Sequence, residues 1–407
     1  MINSELAVVG IDSHFAHYEN IDQVERVLYL AKHTATAADC VPAITSLSAP
    51  EFIFQTTERM IQANKLELDT LIAADQLAIV VVDEVAGKTE QSIEIILEAF
   101  SGLSAHGLHI TDNLTSALNI IERLGHQGSV IALVGINAEN LTELNSQGDN
   151  VATISFDKTF TGYRQVGGVA GMLLCGAEIA KAQNLATYGL IKAFSGFTET
   201  SPIDSSQRPQ QRKNIEAIAF SCQQALQLAE IQAEDIGLVE CSALAGNYQT
   251  ELGGLCASYQ ANDIVVSSGD TTPSKTALIT ALSSARSVVG EGAGFSQVLG
   301  LLRSIIALQQ RYIPAISDWQ SPHDFDLPTL TQSNFYLASD ARPWYPNANG
   351  TEHIAAYSCL TSNSYCHVIV SEYRLETDIK AHLAAATTSS LSKHEVLASR
   401  VSANSHR

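Results

Sequence analysis

Cysteine is the residue type in this chain best suited to covalent chemistry, and its seven copies are scattered with no Cys-x-x-Cys pair among them. An odd, dispersed set of that kind fits reduced, mostly buried thiols, and so a cytoplasmic setting. His14 and His17 stand three residues apart, but nothing else with ligand spacing accompanies them. They read as loop residues, and no metal site is expected. Ser242 could act as a nucleophile only with a histidine or another base in reach, and the sequence nominates none. Arg208, Arg212 and Lys213 form one small basic cluster that an acidic partner could meet.

The elements that position these residues alternate between strand and helix, the pattern of an α/β protein. The first half reads as a strand at Leu6–Ile11, helices at Ile21–Lys32 and Glu51–Asn64, and a strand at Leu77–Val82. A helix near Glu90–Phe100 follows, then one that Asn113 and Thr115 can cap and Gly125 stops, then a strand at Val130–Ile136. The second half reads as strands at Val151–Phe156, Val169–Leu174 and Thr187–Ala193, a helix at Gln210–Ala229 and a strand at Ile236–Cys241. A strand near Leu278–Arg286, a helix at Phe295–Gln309 and closing strands at His353–Ser358 and His367–Glu372 complete it. Continuous apolar runs such as Ile131-Ala-Leu-Val suit strands covered on both faces by helices. Two halves of similar layout, 1–150 and 151–374, suggest a duplicated unit. The Ala-, Ser- and Thr-rich stretch 375–407 reads as a linker.

Composition narrows the function. Hydrophobic residues make up 45% and charged residues 16%, which is ample for a buried core. The 43 acidic and 23 basic side chains leave a net charge of −20, a surface that repels phosphate backbones, so nucleic-acid binding is not expected. No apolar run approaches the roughly 18–20 residues of a spanning helix, and the N-terminus has neither a basic region nor an apolar signal core.

Several segments, in order, resemble the ketosynthase domains of polyketide and fatty acid synthases. Leu6-Ala-Val-Val-Gly-Ile-Asp is similar to the family's first strand, and Ser155-Phe-Asp-Lys-Thr-Phe-Thr-Gly-Tyr163 with Gly167-Gly-Val-Ala-Gly171 to the segment where its second half begins. Gly237-Leu-Val-Glu240 resembles the strand before the first catalytic histidine. Arg286-Ser-Val-Val-Gly290 and the helix ending Ile306-Ala-Leu-Gln-Gln-Arg-Tyr-Ile-Pro314 resemble the region of the second. Ala341-Arg-Pro-Trp344 and Cys366-His367 complete the series. Arg286–Gln297, Tyr312–Trp319, Asp340–Pro346 and Ile354-Ala-Ala-Tyr-Ser-Cys359 look most like one subfamily. It is the ketosynthase-like region at the N-terminus of an acyltransferase-bearing subunit of bacterial polyunsaturated fatty acid synthases. The resemblance implies a thiolase-like fold of five layers, αβαβα. It implies as partners the other synthase subunits and an acyl carrier protein bearing phosphopantetheine, a homo- or heterodimer, and no cofactor. It also implies that 375–407 leads toward an acyltransferase domain.

The same resemblance implies that the condensing chemistry is gone. A ketosynthase needs a thiolate at a helix N-terminus and two histidines that stabilise the enolate of the decarboxylating malonyl group. Counting back from Ala132-Leu-Val-Gly135 places Ile110 at the nucleophile, with His109 and Thr111 as its polar neighbours. The histidine positions match Ser242 and Glu291, and Arg286 takes the place of the family's lysine, where it is expected to pair with Glu291 or another acid. The glycine-rich loop reads Leu360-Thr361-Ser362-Asn363 and has lost its freedom for positive φ. The family's long insertion in the first half is missing, which puts the usual dimer and acyl tunnel in doubt. Ser104–Ile110 could still supply a strand for pairing between subunits.

Three functions stay open: an inactive structural and docking module, a partner that shapes an acyl or carrier pocket like a chain-length factor, and a divergent thioester hydrolase or decarboxylase.

Overall fold

A computed structural model describes residues 5–31, 49–84, 90–125, 127–137, 152–199, 208–259, 279–323, 326–345 and 352–374. The chain divides into two units, 1–372 and 373–407, and the architecture below is that of the first.

Strands β1 (Leu6–Phe15), β2 (Leu77–Val82), β3 (Leu108–Thr111), β4 (Val130–Asn137) and β5 (Gly168–Gly176) form the first set. In space they run β3-β2-β4-β5-β1. β2 is parallel to β3 and β4, while β5 is antiparallel to β4 and β1. The second set comes from β6 (Gly189–Thr198), β7 (Ile236–Cys241) and β8 (Thr280–Ser283). After the short β9 (Tyr312–Ile313), β10 (Phe335–Leu337) and β11 (Arg342–Pro343), it is completed by β12 (Ile354–Leu360) and β13 (Ser364–Ser371). Its order is β8-β7-β12-β13-β6, with β10 added outside β8. β7 is parallel to β8 and β12, and β13 is antiparallel to β12 and β6. Order and direction thus repeat strand for strand. The two sets join where β1 pairs with β6 over Leu6–Val8, giving one continuous eleven-stranded sheet.

Helices make the other layers. α1 (Ile21–Leu30) is capped by Asn20, whose side chain accepts the Gln23 N–H, and buries Val24, Val27 and Leu28 on one face. α2 (Ala49–Ala63), α3 (Leu68–Ala73) and α4 (Glu90–Ala99) precede α5 (Leu114–Gly125). Then come α6 (Ala177–Gln183), α7 (Arg208–Ala229), α8 (Tyr248–Ser258), the single turn α9 (Arg286–Val289), α10 (Ala293–Gln310) and α11 (Leu327–Thr331). α5 and α10 touch strands of both sets and form the middle layer; α2 covers the first set from outside, and α7, with α8 packed on it, covers the second. This is the expected five-layer arrangement. α10 is buried from Gly294 through Leu308, which explains its nearly unbroken apolar run. It lies so close to β4 that a Cβ on Gly135 would sit 2.2 Å from the Gly294 carbonyl, and one on Gly294 2.0 Å from the Val82 carbonyl. No side chain fits at either position.

β5 pairs within the first set, which therefore includes Gly168–Gly176. Two expectations move. The segment expected as a strand at Val151–Phe156 is irregular from Ala152 and turns at Ser155–Phe156. Its local bonds explain the turn: the Asp157 carboxylate accepts N–H groups from Thr159, Gln320 and Ser321. The strand expected to reach Arg286 stops at Ser283, because the chain coils into α9. The stretch 375–407 lies outside the described residues.

Candidate functional site

A helix N-terminus offers backbone N–H groups without partners in the helix, and that of α5 faces the middle of the molecule. Asn113 caps it, its Oδ1 accepting the Ser116 N–H at 2.9 Å. The Leu114 N–H donates to Oε1 of Gln297, a fully buried side chain on α10, at 2.8 Å. The Gln297 amide in turn donates to Glu84 just after β2. Glu84 is exposed as a residue, yet its carboxyl meets this buried amide and is pushed up to about 7, by desolvation first and by the Glu291 carboxylate second. The place where a thiolate or oxyanion would gather N–H groups is therefore filled by a neutral amide.

The structure puts Ile110 inside β3, opposite Val81 in register and ahead of the helix, so the residue at the N-terminus of α5 is Asn113. Of its neighbours, Thr111 directs its hydroxyl to the carbonyls of Val81 and Asn113, and His109 has its imidazole pKa lowered by burial and by Arg123. All six described cysteines are buried with raised thiol pKa values. Cys359, whose Sγ lies 3.9 Å from Gln297 Oε1, is pushed up to about 12 by burial, the opposite of what a nucleophile needs.

Ser242 and Ala243 follow β7 in a tight bend, with Ala243 at φ 47°. The bend is held by Glu251 of α8, a fully buried carboxyl. Its oxygens accept the N–H groups of Ser242 (3.1 Å) and Ala243 (2.8 Å) and the hydroxyl of Ser358 (2.6 Å). Burial outweighs these bonds and lifts Glu251 to about 7. The Ser242 hydroxyl accepts the Leu360 N–H at 2.9 Å, so it ties the bend to the end of β12.

Arg286 opens α9 and is 4% exposed. Its Nε donates to Glu291, and its NH1 reaches the Ser242 carbonyl at 3.3 Å. Burial would lower its pKa, but the Glu291 carboxylate more than offsets this and holds it charged. Glu291 also accepts the Ala293 N–H, and its backbone pairs with that of Arg164 and Val166. Gly290 between them has φ 109°, and a Cβ there would meet the Arg164 carbonyl at 2.6 Å.

Leu360, Thr361, Ser362 and Asn363 close the β12–β13 hairpin with ordinary φ values. The Thr361 hydroxyl accepts the N–H groups of Asn363 and Ser364. Ser242, Arg286, Glu291 and Leu360 therefore converge in one bonded cluster, whereas Ile110 lies in β3.

Sequence reasoning missed the residues that fill the site. Gln297, next to Ser296, interrupts the apolar run Phe295–Leu302, and Glu251 sits beside the buried Leu252 and Leu255; that contrast was the available signal. It also missed a buried polar line leading from Glu251 through Ser358 to the Tyr365 hydroxyl, then to His367 and Tyr259. His367 is pushed down to about 3 by burial and stays neutral.

No family model and no curated protein matches this sequence. Solved structures do match. The oxazolomycin ketosynthase domain KS7 of Streptomyces albus JA3453 superposes with a TM-score of 0.70 at 16% identity, over 91% of this chain and 75% of that one. The module 6 ketosynthase of the bacillaene synthase of Bacillus subtilis 168 gives 0.69 at 14%, over 91% and 72%. The module 1 ketosynthase of the bacillaene synthase of Bacillus amyloliquefaciens FZB42 gives 0.65 at 15%, over 92% and 72%. The repeated five-strand order, the buried middle helices and these superpositions together give the chain the thiolase-like fold of ketosynthase domains.

Proposed function

We propose that this chain is a ketosynthase-like domain that does not condense acyl chains and works as a structural and docking module of a polyunsaturated fatty acid synthase. The observation that carries the loss of chemistry is Gln297, whose amide takes the Leu114 N–H at the helix terminus where the nucleophile belongs. The Arg286–Glu291 pair supports it: an anionic side chain in place of a histidine repels a developing enolate. Ser242, the other replacement, is fully buried, and its hydroxyl is bonded to the Leu360 N–H. The thiolase-like core persists around this altered site, and a fold can keep its surfaces for partners after its chemistry is lost.

The assignment to the B subunit of such a synthase rests on the segments Arg286–Gln297, Tyr312–Trp319 and Asp340–Pro346, and it makes the carrier protein and the other subunits the expected partners. No described helix is long and apolar enough to cross a membrane. Mutual bonding of the site residues favours the docking role over an acyl-shaping pocket.

The test is incubation of the chain with malonyl- and acyl-loaded carrier protein, followed by intact mass spectrometry of both proteins. Unchanged masses are expected. An acyl adduct on the chain, or loss of carbon dioxide above the carrier-only control, would overturn the reading.

A further inference from the structure

A line of buried groups joins the N-terminal half of α8 to the residue that ends it. Ser358 donates its hydroxyl proton to Oε1 of Glu251 at 2.6 Å. The Tyr365 hydroxyl lies 3.1 Å from Ser358 Oγ, 3.2 Å from Nδ1 of His367 and 3.2 Å from Cys222 Sγ. Nε2 of His367 lies 2.8 Å from the hydroxyl of Tyr259, the C-cap residue of α8.

Counting protons sets the direction of every bond. A hydroxyl carries one proton, and an ionised carboxylate carries none. Ser358 gives its proton to Glu251, so Tyr365 gives its own to Ser358. Tyr365 then accepts from Nδ1–H of His367 and from the Cys222 thiol, and Nε2 accepts from Tyr259. Every contact is satisfied in this direction. Apart from Ser358, the Glu251 oxygens meet only the N–H donors of Ser242 and Ala243. A proton arriving on Glu251 therefore has Ser358 Oγ as its acceptor among the described residues, and each bond beyond must turn round.

We propose that this line is a proton-operated latch on α8. With Glu251 ionised, every proton points toward it, and the Tyr259 hydroxyl is tied to His367 Nε2. A proton on Glu251 reverses the line and moves the His367 proton from Nδ1 to Nε2. The Tyr259 hydroxyl then has no acceptor for its proton among the described residues, and the end of α8 loses that tie. The line takes up one proton in total, and the ring stays neutral. The groups facing Glu251 are Cys222 of α7, Cys241 of β7, Cys359 of β12, Tyr365 of β13 and Arg286 of α9. Tyr259 and Tyr365 face His367. Burial raises all these thiols and phenols, and Glu291 holds Arg286 charged, which leaves Glu251 as the group of this set that changes charge near pH 7. The inference stands apart from the loss of condensing chemistry.

Two-bond proton–nitrogen correlation spectra of the isotope-labelled chain tell the neutral histidine tautomers apart, and His367→Gln, which lacks those signals, assigns them. The Nδ1–H form is expected at about pH 8.5 and the Nε2–H form at about pH 5.5, on either side of the Glu251 value of about 7. Ser358→Ala cuts the line, so one tautomer should persist at both pH values. The Nε2–H form at high pH, an unchanged tautomer in wild type, or an imidazolium at low pH would each overturn the proposal. So would a tautomer in Ser358→Ala that still follows pH. Should Ser358→Ala fail to fold, the wild-type pair of spectra still decides.

Discussion

Gln297 on α10 and Leu114 on α5 are 183 residues apart in sequence, yet one side-chain oxygen and one backbone N–H meet at 2.8 Å in the middle layer. That bond links the two central helices and fills the helix terminus at once. Replacing Gln297 with leucine removes the acceptor and leaves a buried N–H unsatisfied, which costs about 1–3 kcal/mol. The urea midpoint should fall at unchanged slope. A midpoint within error of wild type would mean that another group caps Leu114.

The buried polar line titrates in two opposing ways. Glu251 is raised from 4.5 to about 7, so its contribution to stability is full below 4.5 and is lost as pH rises to about 7. His367 is lowered from 6.5 to about 3, so its contribution is full above 6.5 and is lost as pH falls toward 3. Over the shared window the two slopes oppose each other, drawing on totals of roughly 3 kcal/mol for Glu251 and roughly 5 kcal/mol for His367. In Glu251→Gln, stability should climb with pH across that window. In His367→Gln it should decline. Urea midpoints measured from pH 4.5 to 6.5 decide, and parallel profiles for the two variants would refute the assignment.

Arg303 is fully buried in α10, with its NH1 3.4 Å from Glu240 and 2.9 Å from the Ser283 hydroxyl. Arg303→Met strands the Glu240 carboxyl in the core, and breaking such a pair costs about 3–5 kcal/mol. The double variant Arg303→Met with Glu240→Leu should recover much of that loss in thermal unfolding. A double variant no more stable than the single would show that the arginine serves the Leu28 and Ala315 carbonyls it also reaches.

Gly294→Ala puts a methyl group 2.0 Å from the Val82 carbonyl, with backbone on both sides and no flexible tip to yield. Overpacking usually costs about 1–3 kcal/mol, and a backbone clash this close belongs above that range. Loss of soluble protein, or a large drop in melting temperature, is the expected outcome in an expression and thermal-shift test.

The layers were legible because strands buried on both faces are continuous apolar runs, as in Leu77–Val82, and the middle helix repeats that signature at helical length. What spacing did not show was local. The sequence places Ile110 at the nucleophile; the structure has Ile110 in β3 and Asn113 at the cap where α5 starts. The run Val151–Phe156 alternates like a strand, but the Asp157 carboxylate draws its end into a turn through partners near residue 320. Gln297 and Glu251 were visible as polar residues in apolar surroundings. Their partners lie on other elements and cannot be read from spacing.

We propose Asn113, the cap of α5, as the position at which to reinstall a thiol, and Asn113→Cys separates a missing nucleophile from a rebuilt site. A cysteine at a helix N-terminus gains from the dipole and tends toward thiolate. Here the neighbouring Leu114 N–H is already held by Gln297, so an oxyanion forming nearby loses that donor. Glu291, paired with Arg286, still opposes an enolate, and the site is 1% exposed at Asn113. Neither Asn113→Cys nor Ile110→Cys should accept an acyl group from carrier protein or release carbon dioxide from its malonyl form, as read by intact mass. Asn113→Cys combined with Gln297→Gly frees the Leu114 N–H, and acyl transfer without condensation is then the expected gain. Condensation by the single variant would mean that Glu291 and Ser242 do the work of the two histidines after all.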